Sequence, residues 1–356
     1  MPIRPNPLEN LLFFTFNQGP APLLDLWSAV AFRAVTAAIR LGVFDALADA
    51  PLTRNELAQK AGLHSRGCAV LTAALESLGY LIPIPQGERL ALSPMAQKWL
   101  TTHSQANFAP YFTFWDTVLR ELYHNLEESL QTGETPTNLY EWLEGQAETS
   151  LQFQQAMIAI ARLVSREITG RLRFLSGGGR LLDVGGGHGE YSVALCRKFP
   201  HLEAVLFDSP QALAAGRKHV AVEKLGQRIT FQEGNFLTSE LPTGFDAVLL
   251  FNIVHGFTAE QNMAVFRKVR RALQPGGRVV VLDQLDKSIP MATLDATARL
   301  LALSYYHMLG GRVYTFDEIA GWLEAAGFRE VQRIDLIRVP GNALILGHNG
   351  ESHEYQ

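Results

Sequence analysis

From residue 180 onward, short unbroken apolar runs alternate with segments whose apolar positions recur every three or four residues. The runs at 180–184, 204–207, 229–232, 247–251 and 278–282 are rich in aliphatic and β-branched residues, as strands covered on both faces should be. The intervening segments 190–199, 210–222 and 259–273 carry the helical period. A further helix is predicted at 315–326, then two strands flanking Pro340-Gly341. A parallel strand needs a crossover before its neighbour. The alternation therefore predicts a doubly wound α/β sheet, mostly parallel and closed by an antiparallel hairpin.

The first half of the chain follows another pattern. Residues 22–48 read as one long apolar helix, and Thr53 with Glu56 three positions later forms a capping pair for a short second helix. A third helix is predicted at 65–78, ending at Gly79, before two short strands around a Gln86-Gly87 turn. Helix, turn, helix and two-stranded wing together predict a winged helix. Residues 105–175 are mostly helical and rich in aromatics, among them Phe112 and Trp115, and Gly177-Gly178-Gly179 reads as a flexible entry to the sheet. The expected organisation is a mostly helical winged-helix domain at 1–104, a helical connector at 105–176 that lines a substrate pocket, and a catalytic domain at 177–350.

Charge decides what the winged helix is for. Between Asp45 and Ser104 five basic residues (Arg54, Lys60, Arg66, Arg89, Lys98) face five acidic ones (Asp45, Asp49, Glu56, Glu76, Glu88). A DNA reader needs several cations against phosphate, so no nucleic-acid partner is expected and packing against a second subunit is the better use. The whole chain carries a net charge of −4, which offers no general attraction to nucleic acid or an anionic membrane. Arg33 and Arg40 interrupt the most apolar helix, so no membrane span is expected. Cys68 and Cys196 lack metal or CxxC spacing and read as reduced thiols of a cytoplasmic protein.

The strongest local signal is LLDVGGGHGEY at 181–191, where a buried strand runs into glycines and then a helix. Glycines there let a ligand approach backbone N–H groups at a helix start. A dinucleotide fingerprint beginning at Gly185 would need glycine where Glu190 stands, and a P-loop's Gly-Lys-Ser/Thr is absent. The spacing is instead Asp183-x-Gly185-x-Gly187-x-Gly189, which suits a cofactor without pyrophosphate. Asp208, at the tip of the second strand, can accept hydrogen bonds from two ribose hydroxyls. Gly234-Asn235-Phe236 follows the third strand, where Asn235 could meet an adenine edge and Phe236 its face. Any one of these has a bland alternative, since a lone strand-end aspartate is often only a helix cap. Their order on successive strand tips favours the ligand.

These segments, with VLFDSP, QEGNF, DAVLLFNIVHGFTAEQN, LQPGGRVVVLDQ and GGRVYTFDEIAGWLEAAGF, resemble the O-methyltransferases typified by plant caffeate and bacterial hydroxyneurosporene and polyketide enzymes. The likeness runs from about Leu24 to Gly347. It implies a Rossmann-like methyltransferase sheet, S-adenosylmethionine as cofactor, a homodimer, and a catalytic histidine after the fourth strand. That histidine matches His255, and the carboxylate that orients it matches Asp283. Ser209, Phe251 and Asn252 fall at further cofactor positions, and Met157, His307 and Val313 join Phe112 and Trp115 as expected pocket residues. Three departures stand out: His255-Gly256-Phe257 replaces the usual His-Asp-Trp, Asn235 replaces an aspartate, and Val313 occupies the place of a plant glutamate.

Methyl transfer from a sulfonium requires alignment of the acceptor and removal of its proton. A phenol near pKa 10 lies about 3.5 units above an ordinary histidine, roughly 5 kcal/mol uphill, part of which the sulfonium charge recovers. The leading expectation is therefore O-methylation of a small aromatic or polyketide-like molecule with His255 as base. One alternative is C-methylation of an enol or α-keto acid, with a metal held by His255 and His307 and by Asp283 as a third ligand. Another is a non-methylating relative that still binds the cofactor.

Overall fold

The computed structural model describes residues 3, 5–85, 88–287 and 289–350. Its contacts divide the chain into two compact units, Met1–Leu119 and Arg120–Gln356. The stretch expected as a separate connector at 105–176 is thus shared between them, because most of its helices pack onto the sheet unit.

In the first unit, α1 (Leu23–Arg40) ends where Gly42 takes φ 70°, and a short turn of helix, Val43–Ala46, follows. The single helix expected over 22–48 is therefore broken. Thr53 caps α2 (Arg54–Lys60) with Glu56 answering from the third position, as the sequence predicts. The strand β1 (Leu52–Thr53), α3 (Ser65–Ser77), β2 (Leu81–Ile84) and β3 (Arg89–Leu92) complete the winged-helix pattern, and the antiparallel sheet has the order β1-β3-β2. The Gln86-Gly87 turn lies outside the described residues. Then come α4 (Pro94–Trp99) and α5 (Ala109–Glu121), the latter continuing into the second unit. Val35, Phe44, Leu57, Leu75 and Leu90 form the core. Each such side chain contributes roughly 1.5–3 kcal/mol by leaving water. Asp116 on α5 is fully buried and paired with Arg33 and, at 2.8 Å, Arg40 of α1. Along its other face α1 leaves Leu23, Leu26, Trp27 and Val30 exposed.

The second unit opens with α6 (Leu126–Thr132), α7 (Leu139–Leu143) and the long α8 (Ala147–Arg171). Strands and helices then alternate: β4 (Gly179–Val184), α9 (Glu190–Lys198), β5 (Leu202–Asp208), α10 (Pro210–Val222), β6 (Ile229–Glu233), β7 (Phe245–Phe251), α11 (Ala259–Ala272) and β8 (Leu273–Gln284). The chain closes with α12 (Ala292–Leu309), α13 (Phe316–Ala325), β9 (Arg329–Asp335) and β10 (Asn342–His348). The seven strands are ordered β6-β5-β4-β7-β8-β10-β9, parallel except β10, which runs antiparallel to both neighbours. Gly179 is already the first residue of β4 and pairs with Leu202. The glycine run expected to be a flexible entry is therefore partly built into the sheet.

Alternate residues of each strand feed two cores. Leu181, Leu249, Val280 and Leu344 join one, while Leu182, Val248, Val279 and Ile345 join the other. Both faces are covered, so the strands read as continuous apolar runs. Parallel pairing also brings the carboxyl ends of β4, β5, β7 and β8 to one edge of the sheet, where open α/β sheets bind ligands. Among the described residues no helix is long and apolar enough to cross a membrane.

Candidate active site

Beyond β4 the chain turns through Gly185 at φ 70° and Gly189 at φ 72°, conformations costly for any residue with a Cβ. Gly189 starts α9 without a side-chain cap. Asp208, at the end of β5, accepts the Gly187 N–H through Oδ2 at 2.9 Å and the Ser209 N–H through Oδ1 at 2.7 Å. Burial pushes its carboxyl up to about 6 against the pull of these two donors. A Cβ at Gly187 would stand 3.1 Å from that carboxylate and 3.3 Å from Gln154 Oε1, so the loop approaches as closely as glycine permits. A desolvated, half-buried carboxylate with lone pairs to spare, set against a bare backbone loop, fits a ribose diol.

The other cofactor positions divide. Asp183 is 1% exposed, accepts the Ser192 hydroxyl at 2.6 Å, and is pushed up to about 7, chiefly by burial. Its carboxyl lies directly beneath the glycine loop, where a Cβ at Gly186 would stand 2.5 Å from it. The Ser209 hydroxyl accepts the Ala212 N–H as the cap of α10. Asn235 is exposed, but its side-chain oxygen accepts the Leu237 N–H at 2.9 Å and so shapes its own turn. Gly234 lies against the Phe207 ring, and Phe236 meets Phe257 edge-on at 5.5 Å. Phe251 is buried edge-on against Tyr191 at 4.9 Å. Asn252, at φ 57°, donates to the Tyr191 hydroxyl at 3.4 Å.

His255 sits in a single helical turn, Val254–Gly256, just past β7. The register that pairs Phe251 with Leu282 brings this turn beside Asp283 at the end of β8. The His255 Nδ1–H donates to Asp283 Oδ1 at 2.6 Å, and the His255 backbone N–H donates to Oδ2 at 3.2 Å. Gln284 N–H also donates to Oδ1, at 2.8 Å. With Nδ1 holding the proton, Nε2 carries the lone pair, the arrangement a general base requires. Gly311 packs so tightly on the His255 carbonyl that any Cβ there would collide with backbone. The dyad expected from the sequence is assembled, at the same sheet edge as Asp208.

A family model described as an O-methyltransferase domain matches residues 121–329, and one described as an O-methyltransferase dimerisation domain matches 25–102. This chain belongs to that O-methyltransferase family. It is a methyltransferase that depends on S-adenosylmethionine. Among its relatives, the tetracenomycin polyketide synthesis 8-O-methyl transferase of Streptomyces glaucescens is 31% identical over 89% of this chain and 94% of its own length. The 3-hydroxy-5-methyl-1-naphthoate 3-O-methyltransferase of Streptomyces sahachiroi is 29% identical over 92% and 95%. The crystal structure of human N-acetylserotonin methyltransferase in complex with S-adenosylmethionine superposes with a TM-score of 0.81 at 22% identity, covering 98% of this chain and 100% of that one. That likeness concerns the fold.

The methyltransferase spends several expected pocket residues elsewhere. His307 is 2% exposed; its Nδ1 meets the Ser129 hydroxyl at 2.7 Å and its Nε2 the Leu122 carbonyl at 3.1 Å. Both nitrogens are committed to protein, so the expectation of a substrate contact or metal ligand at His307 is corrected. Among the described residues no group of three His, Cys, Asp or Glu side chains is placed to hold a metal ion. Val313 is buried but borders a cleft of about 250 Å³ shared with Gln284, Ala298, Arg299, Ala302 and Arg312. Met157 is half-buried on α8. In the first unit Phe112 stacks on Phe32 at 5.8 Å, and Trp115 packs edge-on to Tyr111 and Phe114.

Three other residues escaped sequence reasoning. Tyr140 on α7 stays 43% exposed, yet desolvation pushes its phenol up to about 12, with Asp208 and Asp283 adding to the shift. It therefore stands within the field of both the ribose-type acid and the dyad. His188, inside the glycine loop, is held down at about 4 by burial and accepts the Glu190 N–H at 3.1 Å. Tyr305 on α12 lies flat on the His255 ring. His188 was visible within the motif; the two tyrosines lie on helices, and no spacing flags them.

Proposed function

We propose that this methyltransferase methylates a hydroxyl of a small aromatic or polyketide-like molecule, with His255 as general base and Asp283 as its anchor. The observation that carries the reading is the buried His255–Asp283 pair, closed at 2.6 Å with the base's Nε2 lone pair left over, on the sheet edge that also bears Asp208. The names of the two Streptomyces relatives, both O-methyltransferases of aromatic or polyketide chemistry, support the acceptor class. Bound S-adenosylmethionine supplies an already activated methyl group. Asp208, its carboxylate set by the Gly187 N–H, would hold the ribose end; His255 Nε2 takes the acceptor's proton, and Asp283 stabilises the imidazolium that results.

The exposed face of α1 and the match to a dimerisation domain support a homodimer, in which a second copy covers Leu23, Leu26, Trp27 and Val30. Two buried free thiols, Cys68 and Cys196, suit a cytoplasmic setting. The test is His255→Ala with methyl consumption followed across phenols, enols and keto acids. Turnover of a phenolic acceptor should fall by about 10² to 10⁴ while cofactor affinity stays within twofold. Full activity in His255→Ala, or methyl consumption only with enols and keto acids, would refute the proposal.

A further inference from the structure

The geometry points to Tyr305 as a positioning residue for the reaction: its ring is a plate that holds the His255 imidazole in the plane where Nδ1 faces Asp283 and Nε2 faces the acceptor. This rests on the reading of His255 as base. The two rings are stacked, with centroids 3.8 Å apart and planes 11° from parallel. Asp283 fixes the imidazole only at one edge, through a single side-chain bond to Nδ1. One such bond leaves the ring room to rock about its Cβ–Cγ bond, and a flat aromatic face against it narrows that rocking.

The plate is itself anchored by its sequence neighbours. Ser304 bonds to the Tyr123 hydroxyl, Tyr306 donates its hydroxyl proton to the Ser129 carbonyl at 2.9 Å, and His307 is held by Ser129 and the Leu122 carbonyl. Three residues of one helical turn thus tie α12 to the 122–129 segment, while Tyr305, between them, meets the base. This also gives His307 a purpose its sequence position did not suggest: it secures the turn that carries the plate. A phenol face over an imidazole favours the ring that gains positive charge as the proton moves, so the contact strengthens as reaction proceeds.

The test uses the full chain in three variants: Tyr305→Phe, which keeps the plate, Tyr305→Leu, which removes it, and His255→Gln. Long-range proton–nitrogen spectra of protein labelled at histidine nitrogen, with His255 assigned by its loss in His255→Gln, read the ring directly. Tyr305→Leu should shift the His255 carbon-bound protons downfield, as the ring current is lost, and broaden them; Tyr305→Phe should leave them in place. With 3-hydroxy-2-naphthoate as acceptor, kcat should fall about tenfold in Tyr305→Leu, stay within twofold in Tyr305→Phe, and leave KM for S-adenosylmethionine within twofold in both. In the His255→Gln background, Tyr305→Leu should cause no further loss. Unchanged His255 signals in Tyr305→Leu would overturn the assignment. So would a tenfold loss that persists without His255, or a Tyr305→Phe as impaired as Tyr305→Leu. Full turnover in His255→Gln would defeat the base itself, and the spectra would still decide whether Tyr305 orders the ring.

Discussion

Asp283→Asn is the sharpest probe of the dyad, because it changes charge and donor pattern with almost no change in shape. The carboxylate accepts three hydrogen bonds: His255 Nδ1–H at 2.6 Å and Gln284 N–H at 2.8 Å on Oδ1, and His255 N–H at 3.2 Å on Oδ2. An amide can be set in two ways. With its oxygen in the Oδ1 position it keeps the two shorter bonds, and its NH₂ then faces the His255 backbone N–H, donor against donor, for about 1–3 kcal/mol. With its NH₂ in the Oδ1 position it opposes the Gln284 N–H and forces the imidazole proton onto Nε2, which disarms the base. The first setting prevails, so the fold survives and the tautomer is kept.

What disappears is the negative charge beside the imidazolium formed during proton transfer. For charges about 4 Å apart in an environment of effective dielectric about 20, that attraction amounts to about 4 kcal/mol. The expected loss in kcat is therefore about 10³-fold. Initial rates of labelled methyl transfer at saturating S-adenosylmethionine measure it, with calorimetry checking that cofactor affinity stays within twofold. A kcat within tenfold of the parent would refute the electrostatic role of Asp283. A parallel fall in cofactor affinity would show that the substitution had disturbed the loop instead.

Cofactor affinity should depend on pH through Asp208, whose carboxyl is pushed up to about 6 by burial. On the proposed reading the ionised form accepts the ribose hydroxyls, so affinity should be full above about pH 6 and fall roughly tenfold per unit below it. Calorimetry between pH 8 and pH 5 reads this, and Asp208→Asn should bind weakly with little pH dependence of its own; equal affinity in the parent chain at both ends would contradict it. Sedimentation at micromolar concentration should give a particle of twice 39.4 kDa. Replacing Leu26 and Trp27 with aspartate should yield folded monomers, whereas a parent chain that sediments as a monomer would remove the case for a homodimer.

How much of this could be read from the sequence follows from where each residue sits. Strand runs and the glycine loop are local patterns, and a parallel sheet delivers every strand tip to one edge. Asp208 and the Gly185–Gly189 turn were therefore placed without any tertiary information. His255 and Asp283 were paired by resemblance, and the structure supplies the physical reason in the register of β7 on β8. Helix-borne residues obey no such rule, because which face of α12 meets the sheet edge depends on the whole packing. The resemblance places His307 in the pocket, yet the helix turns it toward Ser129 and Leu122 and turns Tyr305 onto the His255 ring. Asp183 stands one strand residue before Val184, on the side where it accepts the hydroxyl of Ser192 of α9. The departures from the family pattern at Gly256 and Val313 therefore need not signal a weakened site. His255 is bounded at its edge by Asp283, the carboxylate the resemblance pointed to, at its carbonyl by Gly311, and on its face by Tyr305, which no family pattern flagged.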